Sequence, residues 1–221
     1  MNLSPRAVRR LKPVVFLLCL LPLGKLAAET FGVAGTSLGA NPIEELLHRC
    51  GIWGLNLLLI TLAVTPLRRL TRINALIRFR RMLGLFAFFY LVLHFTVYAW
   101  LDQGFAWSMI VEDIVERPYI TIGIAGLLLL LPLAVTSTQG MMRRLGRRWT
   151  QLHRLVYVVG ILGVWHFYWQ VKQDILEPVI YGLILFALLG FRAVSAWRRR
   201  RRTPRNPSEE TTDHARTAHP G

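Results

Sequence analysis

Six apolar stretches, at about residues 13–28, 50–66, 82–101, 119–136, 151–170 and 176–197, constrain this chain more than any other feature. Each approaches the roughly 20 apolar residues that carry an α-helix across a bilayer. Pro22, Pro132, Gly160 and Gly163 fall inside them, and membrane helices tolerate both residue types. Of the 221 residues, 53% are hydrophobic and 18% charged, less charge than a soluble domain carries. The sequence therefore predicts an all-α integral membrane protein. Residues 1–12 precede a bundle of six transmembrane helices over 13–197. A tail follows at 198–221, basic and then polar, with the composition of a disordered segment.

The first stretch has two readings. Arg6, Arg9, Arg10 and Lys12 precede it and Leu26-Ala27-Ala28 closes it, a pattern shared with signal peptides. A retained helix whose Lys25 snorkels to the interface is the other reading, and it is the one expected here.

The net charge of +15 suggests either a nucleic-acid surface or the Arg and Lys excess of cytoplasmic loops. Placement decides between them. Basic residues collect before the first stretch, between the second and third (Arg68, Arg69, Arg72, Arg78, Arg80, Arg81), between the fourth and fifth (Arg143, Arg144, Arg147, Arg148), and after the sixth (Arg198 to Arg202). The alternate connectors hold Arg49, Arg117 and Lys172 with Glu29, Glu44, Glu45, Asp102, Glu112, Asp113, Glu116, Asp174 and Glu177. This alternation predicts both termini in the cytoplasm and no nucleic-acid partner. No internal repeat is evident, which counts against a repeat-built transporter.

Two cysteines, Cys19 and Cys50, lie far apart with no C-x-x-C or C-x-x-C-H, which argues against iron–sulfur, structural zinc and c-type haem sites. The histidines say more. His94 lies deep in the third stretch, and His153 and His166 lie near opposite ends of the fifth; His48 opens the second, and His214 and His219 are in the tail. A single buried imidazole is as well explained by a bond to a neighbouring carbonyl, but three on two helices favour a ligand set, and imidazole is a usual axial ligand of haem iron.

Counting about 1.5 Å per residue from the basic side, His94 and His166 fall at similar depth and could clamp one haem in the outer half of the membrane; His153 falls about 20 Å lower, leaving room for a second cofactor. On an ideal helix His153 and His166 are roughly 140° apart, so they share a face only if the helix is distorted. Arg80 lies within about 40° of the His94 face. It pairs with a haem propionate or a flavin phosphate, or it is an ordinary cytoplasmic charge.

The pattern on the third and fifth helices resembles the ferric-reductase-type transmembrane domain. "NPIEELLHRCG", "TLAVTPLRR", "LIRFRRMLGL", "RPYITIGI" and "TSTQGMMRRLGRRWTQLHRLVYV" narrow the resemblance. They are similar to the haem-binding membrane subunits of the periplasmic methionine sulfoxide reductase system, over about residues 10–197. That resemblance implies a subunit of a bacterial inner membrane carrying b-type haem and FMN. Its electrons come from the quinone pool or a cytoplasmic flavin reductase. They go to the soluble molybdopterin enzyme MsrP, which repairs oxidised periplasmic proteins. Carried over by position, the haem ligands are His94 and His166, with His153 a third ligand or beside a second cofactor. Arg80 stands where the wider family has a fourth histidine.

Two further readings concern what surrounds the haem. For FMN, Arg147, Arg148 and Gln151 offer phosphate contacts near a helix start, though cytoplasmic charge explains the arginines equally well. Beyond Trp197 the sequence holds 24 residues and no glycine-rich dinucleotide motif. The expectation is thus an electron conduit without a complete site for methionine sulfoxide reduction. A ferric-reductase-like protein with another acceptor, or a non-redox transporter, are the alternatives.

Overall fold

The computed structural model describes residues 4–171 and 175–202; the tail from 203, with His214 and His219, lies outside the described residues. Nine α-helices account for most of that length: α1 Pro5–Thr30, α2 Pro42–Thr71, α3 Arg80–Thr96, α4 Trp107–Glu116, α5 Pro118–Val135, α6 Gln139–Leu145, α7 Arg147–Leu152, α8 Leu155–Gln170 and α9 Leu176–Arg202. No strand occurs among the described residues.

Local chemistry fixes the helix ends. Pro5, Pro42 and Pro118 each occupy a first turn, where a missing N–H costs nothing. The Ser4 and Thr138 hydroxyls accept from Ala7 N and Met141 N, each at 3.2 Å. In α2, Glu44 and Glu45 sit in the first turn and Arg68 and Arg69 in the last, both favourable to the helix dipole.

Five of these helices are long and apolar enough to cross a membrane: α1, α2, α3 with its extension to Asp102, α5, and α9 to Arg198. The stretch expected at 151–170 is different. Its regular helix starts only at Leu155 and has 16 residues, about 24 Å of rise. His153 lies ahead of it, on the turn that closes α7. The expected phase angle between His153 and His166 therefore does not apply, because no continuous helix joins them. Nor was α4 expected in the connector after Asp102.

Side-chain contacts give the packing directions. Gly51 faces His94 and Gly84 faces Thr61, so α2 and α3 are antiparallel. Gly123 faces His166 and Thr136 meets His153, so α5 and α8 are antiparallel too. Asn56 bonds Tyr181 and Leu62 bonds Arg192, placing α9 parallel to α2. The bundle thus has an acidic end, where α2 and α5 begin, and a basic end, where α3 begins and α9 finishes. Leu58, Leu62 and Tyr90 are its most buried large residues, while Leu17, Leu21, Leu128, Leu183 and Phe186 point outward, as lipid-facing positions do.

Tyr90 also anchors α1. Its hydroxyl donates to Cys19 O at 2.8 Å and accepts from Leu23 N at 3.1 Å, so it is inserted into the helix ladder next to Pro22. A proline opens a helix at the preceding turn, and here a buried phenol fills the gap.

Candidate functional site

The acidic half of the bundle encloses a cavity of about 190 Å³ between α2, α3, α5 and α8. Its walls are mostly apolar, with Leu55, Leu91, Ile120 and Phe167 among them, and both His94 and His166 face it.

The two rings are held in the same way. His94, on α3, has Nδ1 2.8 Å from the Leu47 carbonyl of α2. His166, on α8, has Nδ1 2.7 Å from the Tyr119 carbonyl of α5. A carbonyl oxygen can only accept, so each Nδ1 carries the ring proton and each Nε2 presents its lone pair. Each ring also lies against a glycine. A Cβ on Gly51 would stand 3.1 Å from His94 Nδ1, and one on Gly123 would stand 2.9 Å from His166 Nδ1 and Cε1. A Cβ would crowd the ring at Gly51 and force it to shift at Gly123.

In both cases the carbonyl lies 47 residues before its histidine and one helical turn before its glycine. Gly54 and Gly126, each three residues further on, continue the match at the closely packed helix faces. The bundle thus contains a repeated hairpin unit, α2–α3 and α5–α8, which corrects the expectation of no internal repeat; the match lies in backbone carbonyls and glycines, not in residue identity.

The ring centres are 6.1 Å apart and the ring planes 82° from each other. Two metal–imidazole bonds of about 2 Å on opposite sides of one ion would set the centres roughly 6 Å apart. Among the described residues no three His, Cys, Asp or Glu side chains gather as ligands for an ion. A bare ion would thus lack ligands, whereas haem iron brings its own equatorial nitrogens and needs only axial ones. Two fixed neutral imidazoles in an apolar cavity fit that requirement.

Of the other sequence candidates, only His48 shares this cavity. His48 lines the same cavity and packs 6.0 Å from the Phe167 ring. His153 is not in the cavity. Its ring stacks on Trp149 at 3.9 Å, and its Nε2 meets the Thr136 hydroxyl at 3.1 Å. Arg80 is half-buried at the basic end, near enough for its charge to act on His153. Arg147, Arg148 and Gln151 are exposed. Phe167 is buried, but Trp165, Tyr168 and Trp169 face outward. Sequence reasoning missed Gly51, Gly123 and Arg192. The last is the one basic residue inside the sixth apolar stretch, and that alone could have marked it.

Three comparisons bear on this arrangement. A family described as "Ferric reductase like transmembrane component" matches residues 50–164, which include His94 and His153. The chain is 58% identical over 170 residues to the protein-methionine-sulfoxide reductase heme-binding subunit MsrQ of Xanthomonas campestris pv. campestris, covering 77% of this chain and 78% of that protein. It is 49% identical over 200 residues to the protein of the same name from Herminiimonas arsenicoxydans, covering 89% of this chain and 90% of the relative. No solved structure gives a significant match.

Proposed function

This chain belongs to the MsrQ family of haem-binding membrane subunits, and on that premise we propose that it carries electrons across a bacterial inner membrane through a haem b held by His94 and His166. The observation that carries the reading is the matched pair of rings 6.1 Å apart, each with Nδ1 fixed by a carbonyl and Nε2 left as the ligating atom. Haem bound there supplies a one-electron redox centre. The protein's part is to hold both imidazoles neutral and oriented, and to keep water away with Leu55, Leu91 and Phe167.

In this reading α8 completes six spans over residues 13–197, with residues 1–12 and the tail from 198 in the cytoplasm. The basic connectors support that orientation. The acidic end then faces the periplasm. There the segment Asp102 to Glu116 presents Glu112 and Glu116 on its surface, a charge that can steer a partner. The acceptor is the periplasmic molybdopterin reductase MsrP, and the system repairs oxidised methionine in periplasmic proteins. Electrons enter at the basic end from the quinone pool or a cytoplasmic flavin reductase. FMN is the second cofactor there, with Arg147, Arg148 and Gln151 as its surface contacts. His153 and Arg80 lie beside that cofactor or a second haem.

The decisive experiment is an optical spectrum with pyridine-haemochrome quantitation on purified protein. The native chain should show a Soret band and split reduced α/β bands, and His94→Ala and His166→Ala should each remove them. Unchanged haem content in a folded variant refutes the ligand assignment.

A further inference from the structure

At the basic end two arginines, Arg80 and Arg192, are half-buried in the bundle. Arg192 of α9 donates Nη1 to the Tyr157 hydroxyl at 2.8 Å and Nη2 to the Leu62 carbonyl at 2.6 Å, and its guanidinium lies 5.1 Å from the Tyr157 ring centre. Arg80 of α3 stands near enough for its charge to act on both Arg192 and Tyr157. Neither arginine has a carboxylate partner among the described residues. Every described acid from Glu29 to Glu177 belongs to the acidic end.

Unpaired charge within a membrane bundle is expensive, and two like charges that act on each other more so. The polar groups around them are also incomplete. Among the described residues only two buried side-chain polar atoms lack a hydrogen-bond partner, and they are Arg192 Nε and Thr65 Oγ1. Thr65 is on α2, less than one turn beyond the Leu62 carbonyl that Arg192 holds. Tyr157 accepts from Arg192 and so keeps its own O–H proton to donate. Buried polar groups are nearly always satisfied, and an unsatisfied guanidinium N–H beside uncompensated positive charge calls for an anion.

We propose that Arg192 and Arg80 together hold an oxyanion, the phosphate or carboxylate of a bound cofactor, at the basic end between α2, α3, α8 and α9. The free Nε–H edge of Arg192 offers the planar fork that matches either group. Tyr157 and Leu62 fix the other side of the guanidinium, so its orientation is set before the ligand arrives. This site is distinct from the exposed Arg147 and Arg148. The inference rests on the chain's being a cofactor-bearing subunit, not on the assignment of His94 and His166. Absence of haem from the native protein defeats that earlier reading, whereas the measurements below bear on Arg192.

The test uses the full chain in detergent and compares Arg192→Gln, Arg80→Gln, Arg192→Lys and an Arg147→Gln/Arg148→Gln double variant. Folding is checked by thermal melting. Flavin affinity is read from fluorescence quenching with FMN and with riboflavin, and inorganic phosphate serves as competitor. Haem affinity is read by titrating haem-depleted protein with haemin and with haemin dimethyl ester. If the anion is a flavin phosphate, Arg192→Gln weakens FMN roughly ten- to a hundredfold, the range for a contact to a charged group. Riboflavin is unaffected and Arg192→Lys is intermediate. If it is a porphyrin propionate, the native preference for haemin over its dimethyl ester shrinks by the same factor and flavin binding is untouched. Either result supports the site. It is overturned if folded Arg192→Gln and Arg80→Gln variants bind all four probes like the native chain, or if only the Arg147/Arg148 double variant loses affinity.

Discussion

At the acidic end Arg49 is held by Glu29 and by Glu45, and the buried Asp113 by Arg117, Tyr98 and Gln103. At the basic end Arg80 and Arg192 have no carboxylate partner among the described residues. The histidines differ in parallel. His94 and His166 are pinned through Nδ1 with Nε2 free, whereas Nε2 of His153 is engaged by Thr136. Among the described residues, the acidic half leaves no buried side-chain polar atom unpartnered and presents two nitrogens for a ligand. The other half is unbalanced as a protein and acquires neutrality from a ligand. Preorganisation is a property of the first half, and ligand-dependent order of the second.

The sharpest way to break this contrast is to remove each histidine in turn. His94→Ala and His166→Ala should abolish the Soret band of the acidic-end site. His153→Ala should leave that band in place and lower total haem per chain by no more than half, the share of a second, basic-end cofactor. Complete loss of haem in His153→Ala, with melting behaviour unchanged, would merge the two halves into one site. Glycine substitutions come next. Gly123→Ala and Gly51→Ala add a Cβ within 2.9 and 3.1 Å of the respective ring atoms, so the His166 ring must shift and the His94 ring must give by a few tenths of an ångström, each at the expense of its bond to the carbonyl. Haem affinity should fall roughly tenfold or more, the worth of losing one oriented ligand contact, with Gly123→Ala the more damaged. Equal affinity to the native chain would show that the rings do not need the glycine saddle.

The halves also differ in how legible they are in sequence. Helix depth counted from the basic side was enough to bring His94 and His166 together, because both helices start at the same end and rise is fixed per residue. The glycines were not legible, since what marks them is a contact on a neighbouring helix. The repeated hairpin stayed hidden for a related reason. Leu47 and Tyr119 contribute carbonyls, which any residue type supplies, so the repeat is preserved in backbone geometry and erased from side chains. The 151–170 stretch was read as one span because hydrophobicity does not register the turn at His153. Arg192 is hard to single out in sequence because it lies close to Arg198 to Arg202. Depth separates it from them, with six residues, about 9 Å of helix, between Arg192 and Arg198.

A smaller effect isolates the electrostatic difference itself. Asp113→Asn removes an ion pair and weakens bonds to Tyr98 and Gln103, so it should destabilise the protein by about 1–3 kcal/mol, the usual worth of a hydrogen bond to a charged group. The loss should be similar with or without cofactors, because all of Asp113's partners belong to the protein. Arg192→Gln should behave otherwise. In haem- and flavin-depleted protein it removes a charge that repels Arg80 and has no counter-ion, so the melting temperature should hold or rise. In loaded protein the same substitution removes the ligand's partner, and the melting temperature should fall, since a ligand stabilises only as far as it binds the folded state. The sign change between the two states is the quantity to measure. If depleted Arg192→Gln melts as far below its parent as Asp113→Asn does, then Tyr157 and Leu62 alone satisfy that guanidinium, and the basic end is as self-sufficient as the acidic one.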